Sequence, residues 1–284
     1  MQKINVSTHI NAPKEKIWEM LWNLDAYRTW TSAFTEGSDA KTDNWKEGSK
    51  VLFLDPRGSG MVSRVAAHKP NAFMSFQHLG EVHNGIEDTS SDKVKAWAGA
   101  MENYTLEEEN GNATLSVEMD VTDDFRDYML KMWPPALEKL KGLCEGSLKP
   151  IITITAEINA PVDKVWSRWT DPEHIKNWNF ASGDWHCPAA KNDLKTGGKF
   201  SFTMASRDGK HSFDFEGIYT EIRERHKISY TMADGRKADI LFEEKDGTTF
   251  IKESFEAENM HSLEMQRSGW QSILDNFKGY TEAG

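Results

Sequence analysis

The chain has little cysteine, no long apolar run and no excess of positive charge among its 284 residues. Its two cysteines, Cys144 and Cys187, lie far apart, which argues against a disulfide framework and favours a reducing compartment. No stretch approaches the ~18 apolar residues of a membrane span. The first residues alternate like a strand and do not resemble a signal peptide. We therefore expect a cytoplasmic protein without a membrane span.

The charge balance is acidic, because 34 Lys and Arg residues face 45 Asp and Glu residues, for a net charge of −11. Such a molecule repels phosphate backbones, and no local basic patch offsets the repulsion. We therefore expect no nucleic-acid partner. The hydrophobic fraction of 38% is sufficient for packed cores. At roughly 100–200 residues per domain, the length suggests two domains.

The first half of the chain recurs in the second half. Residues 10–13 read Ile-Asn-Ala-Pro and recur as residues 158–161. Near the two ends, residues 137–142 match residues 274–279, and both stretches begin with Leu and end with Lys-Gly. Because the matches are collinear, they predict two copies of one domain and not a solenoid with units of roughly 20–50 residues.

Both copies show the same pattern of elements. Apolar residues alternate with polar ones from Ile4 to Ile10 and again from Ile152 to Ile158, which is the period of a half-buried strand. Helical patterns follow, then several strands separated by Asn-Gly or Asp-Gly pairs, which favour antiparallel hairpins. A long helical pattern ends each copy. We predict two α+β domains, residues 1–146 and 150–284, whose twisted sheets can curl around the long helix and leave a cavity.

Three local predictions concern segments with mixed signals. Residues 95–107 are predicted as one strand. Residues 185–188, Trp-His-Cys-Pro, are predicted as a loop. The pair Pro134 and Pro135 is predicted to break or kink the first long helix, because proline lacks the amide hydrogen that helix interiors require.

Residues 158–178, which begin Ile-Asn-Ala-Pro-Val-Asp-Lys-Val-Trp, resemble the opening of the helix-grip superfamily, also called START-like or SRPBCC. With residues 215–219 and 269–280, the second copy is similar to the C-terminal half of the activator of heat-shock protein 90 ATPase. The first copy resembles polyketide cyclase-like members of the superfamily. Residues 10–18 and 132–141 carry that resemblance.

The resemblance implies tandem helix-grip domains, in which an incomplete barrel-like sheet grips the C-terminal helix around a hydrophobic cavity. Superfamily members bind lipids, polyketides, plant hormones or other apolar molecules, and a minority catalyse cyclisation. We therefore predict binding of small hydrophobic or amphipathic molecules. A cyclase- or hydrolase-like enzyme is one alternative. A chaperone-associated interaction module is another, although the activators carry a different domain where this chain has another helix-grip copy.

Eight residues are predicted to contact a ligand, because aromatic rings line apolar pockets and a few polar groups orient what binds there. They are Trp97, Glu102, Tyr104, Trp133, Trp178, Trp185, Asp214 and Trp270. Arg64 joins Glu102 and Tyr104 in the polar cluster that an enzyme would need. Two alternatives stay open: core packing buries aromatic residues without any ligand, and the charged residues could face solvent.

Other chemistries find little support in the sequence. No Cys or His residues have the spacing of a metal site, and His78 and His83 are predicted to face solvent near a turn. Residues 196–199 lack a complete phosphate-binding motif. Cys187 is predicted to be inert, although the adjacent His186 could activate its thiol. We expect no metal and no cofactor.

Overall fold

The chain divides into two units, Met1–Pro150 and Ile151–Gly284, which we call the N-domain and the C-domain. The computed structural model describes residues 1–283. Each domain combines a curved antiparallel sheet with helices near its start and a long helix at its end. The predicted α+β fold class is confirmed for both copies.

The N-domain contains an eight-stranded sheet. Its elements are β1 (Gln2–Ile10), α1 (Lys14–Trp22), α2 (Leu24–Thr31), β2 (Asp39–Lys41), β3 (Lys50–Leu54), β4 (Gly60–Lys69), β5 (Phe73–His83), β6 (Ile86–Asp88), α3 (Asp92–Lys95), β7 (Met101–Glu109), β8 (Asn112–Val121) and α4 (Asp123–Glu145). The strands lie in the order β1-β8-β7-β5-β4-β3-β2, and β6 pairs with β5. The long helix α4 packs against β1, α1 and α2.

The C-domain repeats this plan with seven strands. Its elements are β9 (Ile151–Ile158), α5 (Val162–Thr170), α6 (Pro172–Ile175), β10 (Trp185–Asn192), β11 (Lys199–Ser206), β12 (Ser212–Arg223), β13 (Lys227–Met232), β14 (Lys237–Lys245), β15 (Thr248–Glu256) and α7 (Leu263–Ala283). The strands lie in the order β10-β11-β12-β13-β14-β15-β9. Helix α7 packs against β9 and α5.

The repeated Ile-Asn-Ala-Pro segment joins the first strand of each domain to the end of its long helix. The backbone N–H of Asn11 donates to the Glu145 carboxylate, with nitrogen and oxygen 2.8 Å apart. The N–H of Asn159 donates to Glu282 at the same distance. The proline that follows suits a helix start, where no amide hydrogen is needed, and α1 and α5 begin directly after it. The repeat therefore encodes the same contact twice.

Two segments differ from the sequence-based predictions. Residues 95–100 are not part of a strand, because Ser91 caps α3 and β7 begins only at Met101. The segment predicted as a loop at 185–188 opens the strand β10. This strand tolerates Pro188, which cannot donate to a neighbour, because β10 lies at the sheet edge and its register shifts between His186 and Ala189.

Of the break or kink predicted at Pro134 and Pro135, the break is wrong, since α4 runs through both residues, and the kink stays a prediction. Two carbonyl groups one turn earlier lose their helical partners there. Packing offsets this loss, because Trp133, Leu137 and Leu140 around the prolines are all buried. Within residues 1–283, no helix combines the length and the apolar character needed to cross a bilayer.

Candidate ligand-binding cavities

Each domain contains a cavity between its sheet and its long helix. The N-domain cavity has a volume of about 390 Å³ and the C-domain cavity about 280 Å³. The twist of an antiparallel sheet can leave such a space beside a helix. Aromatic side chains predominate in the C-domain, whereas the N-domain cavity has more polar groups along its wall.

The C-domain cavity takes its walls from five strands, the first and last helices and the segment after α6. The lining residues are Trp169, Trp178, Asn179, Phe200, Phe202, Met204, Phe213, Phe215, Tyr219, Ile228, Tyr230, Arg236, Ile240, Glu253, Trp270, Ile273 and Leu274. Alternation along β12 directs Phe213, Phe215 and Tyr219 to this side of the sheet.

The aromatic wall is held by ring-to-ring packing. Trp270 of α7 stacks on Phe255 with ring centroids 3.9 Å apart, and it meets Phe215 edge to face at 5.8 Å. Phe200 meets Tyr230 edge to face at 5.0 Å. Such arrangements suit the quadrupole of aromatic rings and fix their orientation. The rings that line the cavity are therefore also part of the core.

Glu253 is a buried carboxyl within this aromatic wall. It lies on the inward face of β15, between Ile251 and Phe255, and is only 6% exposed. Within residues 151–283 its carboxyl oxygens have no hydrogen-bond donor and no neighbouring cation, and burial raises its pKa to about 8. A carboxyl with this pKa is mostly protonated at neutral pH.

Two other polar groups of the C-domain cavity have partners within the protein. The Tyr219 hydroxyl donates to the Asn192 side chain at 2.7 Å. The Arg236 guanidinium donates to Asp234 at 2.7 Å and to the Glu256 carbonyl at 3.1 Å. Because these groups are satisfied, the lining side chains left to interact with a bound molecule are Glu253, Asn179 and Tyr230, and Glu253 is the one carboxyl among them.

The N-domain cavity opens between α2, the β3–β4 hairpin and the first turns of α4. Its lining residues are Tyr27, Thr31, Phe34, Thr35, Ser38, Asp39, Phe53, Leu54, Asp55, Ser59, Gly60, Met61, Glu102, Tyr104, Met119, Phe125, Tyr128, Met129 and Trp133. The indole nitrogen of Trp133 donates to the Met119 sulfur at 3.1 Å, so this ring is fixed against β8.

A chain of hydrogen bonds reaches the N-domain cavity from the buried side of the sheet. Ser63 lies 2.8 Å from His78 Nδ1, and His78 Nε2 lies 3.2 Å from the Glu102 carboxylate. The Tyr104 hydroxyl donates to the other oxygen of Glu102. Burial and the charge of Glu102 raise the pKa of Tyr104 well above its usual value, so Tyr104 keeps its proton. The chain holds the Glu102 carboxylate in place at the cavity wall.

Five of the eight residues predicted to contact a ligand line one of the cavities. They are Glu102, Tyr104, Trp133, Trp178 and Trp270. Their contact with a ligand stays a prediction.

The other three predicted residues lie outside the cavity walls. Trp97 is half-buried in the turn between α3 and β7. Trp185 contacts Phe213 at 5.9 Å but is not itself in the lining. Asp214 is exposed on the outer face of β12, where Thr203 donates to it at 2.7 Å. Arg64 is exposed as well and donates to Gln77, so it does not belong to a polar cluster with Glu102.

Two candidate functional residues, His78 and Glu253, were not identified correctly from the sequence. His78 was expected to face solvent, but it is 5% exposed and belongs to the hydrogen-bond chain. Glu253 could have been found from alternation, because Thr249, Ile251 and Phe255 on the same face of β15 are all buried. A carboxyl at such a position signals either a buried ion pair or a ligand contact.

The two cysteines are buried and their thiols are not activated. Burial raises the pKa of Cys144 to about 12 and that of Cys187 to about 11. The Cys187 thiol donates to the Ala189 carbonyl at 3.4 Å. Since a nucleophilic cysteine needs a lowered pKa, the geometry supports the inert reading of Cys187.

Residues 159–282 match the family described as Activator of Hsp90 ATPase homolog 1-like protein. The chain belongs to this family through its C-domain. The match covers nearly the whole C-domain and none of the N-domain. A search among curated proteins gives no significant match.

Several solved structures are similar to parts of the chain. An AHSA1-like protein from Aeromonas hydrophila shares 42% identity, with 46% of this chain and 93% of that one covered and a TM-score of 0.44. A protein from Cytophaga hutchinsonii shares 49% identity, with coverage of 46% and 92% and a TM-score of 0.43. The di-domain ARO/CYC protein BexL from the BE-7585A biosynthetic pathway aligns over 100% of this chain and 98% of its own, with 13% identity and a TM-score of 0.42.

Proposed function

We propose that each domain binds one small, largely apolar molecule in the cavity between its sheet and its long helix. The observation that supports this proposal is the aromatic lining of a cavity with a volume of about 280 Å³ in the C-domain. Packed interiors contain few voids larger than a water molecule, so an apolar space of this size is characteristic of a ligand site. Family membership of the C-domain agrees with small-molecule binding.

A cavity-filling variant tests the proposal. Ile240→Phe adds a larger side chain to the C-domain lining, whereas Leu241→Phe places the same ring on the exposed face of the same strand. Binding of the neutral fluorophore N-phenyl-1-naphthylamine to the full chain is followed by titration. We expect two sites of micromolar affinity in the wild type and in Leu241→Phe, and one site in Ile240→Phe.

The outcomes separate binding from folding. Circular dichroism equal to that of the wild type shows that Ile240→Phe has folded, and retention of the N-domain site shows that the change is confined to the C-domain. No saturable binding to the wild type, across a panel that also includes fatty acids and polycyclic compounds, would contradict the proposal.

A second candidate function is acid–base catalysis in the N-domain cavity, of a cyclase- or hydrolase-like kind. It is favoured by the hydrogen-bond chain that ends at Glu102, because a carboxylate positioned at an apolar wall can abstract a proton next to a carbonyl group. We test it by the exchange of deuterium from heavy water into the acetyl group of 2-acetylnaphthalene. Exchange is expected to be faster with wild type and Glu107→Gln, an exposed control on the same strand, than with Glu102→Gln. Equal rates for all three would rule out Glu102 as the base.

The family name also suggests a chaperone-associated function. The activator-like region, residues 159–282, is preceded in this chain by a second helix-grip domain. Addition of the full chain to the Hsp90 chaperone of its own organism tests this alternative. An unchanged ATPase rate would dismiss it.

A further inference from the structure

Glu253 indicates the chemistry of the molecule that the C-domain cavity binds, and this inference rests on the proposed function. The side chain is 6% exposed and faces the cavity from the middle of β15. Within residues 151–283 no donor or cation contacts its carboxyl group. A buried polar group without a partner is costly, and proteins rarely keep one. A partner supplied by a ligand removes this cost.

The protonation state of the carboxyl determines which partner fits. Ionisation in an apolar, aromatic environment is strongly disfavoured, so the group keeps its proton when the cavity is empty. A protonated carboxyl offers one O–H donor. The complementary ligand group is an oxygen that accepts a hydrogen bond.

We propose that the C-domain cavity binds an aromatic or similarly flat apolar molecule that carries a carbonyl or other acceptor oxygen, and that the Glu253 carboxyl donates a hydrogen bond to this oxygen. The rings around the cavity bury the apolar body, and Glu253 fixes its orientation. This division of roles is typical of small-molecule sites, where a few polar groups set specificity.

The competing ligand is an ammonium ion, which would need an ionised Glu253. Two charges would then have to lose their water, and this cost often exceeds the attraction between them. Aromatic faces can bind cations. Here, however, one face of Trp270 is covered by Phe255 at 3.9 Å, and Tyr230 meets Phe200 and Phe215 edge to face. The geometry therefore favours the neutral acceptor.

Glu253 is the group expected to titrate in this cavity near neutral pH. The other titratable or charged side chains in the lining are Tyr219 on β12, Tyr230 on β13 and Arg236 before β14. Burial raises the pKa of both tyrosines above their usual value, the nearby Glu253 carboxyl adds to this effect at Tyr230, and Arg236 is paired with Asp234. Helix α7 contributes only apolar side chains to the described lining.

The test uses three probes of nearly equal shape on the full chain: 2-acetylnaphthalene, 2-isopropylnaphthalene and 1-(2-naphthyl)ethylamine. Calorimetry gives the dissociation constant of each probe for wild type, Glu253→Gln and Glu253→Leu. The same titrations of Ile240→Phe, in which the C-domain cavity is filled, give the contribution of the N-domain site. Glutamine keeps a donor without a titrating proton, whereas leucine removes the donor.

We expect Glu253→Leu to weaken binding of the ketone ~3- to 10-fold more than binding of the hydrocarbon, the effect of losing one neutral hydrogen bond. Glu253→Gln should stay within about 3-fold of the wild type for the ketone. Raising the pH from 6.5 to 9.5 should weaken the ketone relative to the hydrocarbon in wild type, because the carboxyl ionises, and should leave the ratio unchanged in Glu253→Gln.

Two results would overturn the inference while leaving the proposed function intact. One is an equal effect of Glu253→Leu on the ketone and the hydrocarbon. The other is preferential binding of the amine that Glu253→Gln and Glu253→Leu both abolish. If none of the three probes binds to the C-domain of the wild type, the proposed function of that domain fails together with the inference.

Discussion

Glu253→Gln is expected to stabilise the C-domain by an amount that grows with pH. Burial raises the pKa of Glu253 from 4.5 to about 8 in the folded state. Between these two values the folded chain binds more protons than the unfolded chain, so stability falls as the pH rises. Glutamine is neutral in both states and does not incur this loss. At low pH, where Glu253 is protonated in both states, the two proteins should be nearly equally stable.

The magnitude follows from the two pKa values. Each pH unit between them lowers the unfolding free energy by about 1.4 kcal/mol. The wild type therefore loses roughly 3 kcal/mol by pH 7 and roughly 5 kcal/mol above pH 9, relative to Glu253→Gln. Because Glu253 is 6% exposed, screening by solvent reduces this figure only slightly.

Urea unfolding of the full chain, read by amide hydrogen exchange, reports the C-domain separately from the N-domain. The matched control is Glu243→Gln, an exposed carboxyl on the neighbouring strand β14, whose effect should stay within about 0.5 kcal/mol at every pH. A difference between wild type and Glu253→Gln that does not change from pH 5 to pH 8 would refute the buried, unpartnered state of this carboxyl.

Three further predictions concern packing and thiol reactivity. Gly217→Ala should destabilise the C-domain by about 1–3 kcal/mol in urea unfolding, because a Cβ there would lie 2.5 Å from the Phe200 ring and 2.7 Å from a backbone oxygen. An unchanged urea midpoint would show that the ring can move away freely. Gly279→Ala, in α7 with no atom within 4 Å of its Cβ, should stabilise the same domain by about 0.5–1 kcal/mol, and a loss of stability would contradict its open surroundings. Cys144 and Cys187 should resist alkylation by iodoacetamide at pH 8 until urea unfolds the chain, and mass spectrometry follows the labelling. Rapid labelling of the native protein would contradict the burial and the raised pKa values of the two thiols.

Much of the architecture was predictable because it depends on local pattern. Alternation predicted the strands from Ile4 to Ile10 and from Ile152 to Ile158, and both lie within β1 and β9 of the structure. The repeat of Ile-Asn-Ala-Pro predicted two domains of one kind, and the structure shows that it forms the same contact with the long helix in each. An error arose where packing outweighed local preference, because Pro134 and Pro135 do not interrupt α4.

The candidate sites depended on relations between distant segments. The sequence suggested Glu102 and Tyr104 as members of one polar cluster, but it could not show that Ser63 and His78 from other strands complete their hydrogen-bond chain. Strand register decides such neighbours, and register is set by the whole sheet. For the same reason the sequence did not distinguish Trp178, which lines a cavity, from Trp97, which does not.

The sequence by itself determined the duplication and the α+β class, because each depends on residue spacing along the chain. Only the tertiary structure decided how far each sheet curls from its helix, and thus that space remains between them. It also decided that Glu253 has no partner in the described C-domain, since a pairing is a property of neighbours in space. A carboxyl that is ordinary in the sequence thereby becomes the group that the proposed ligand must satisfy.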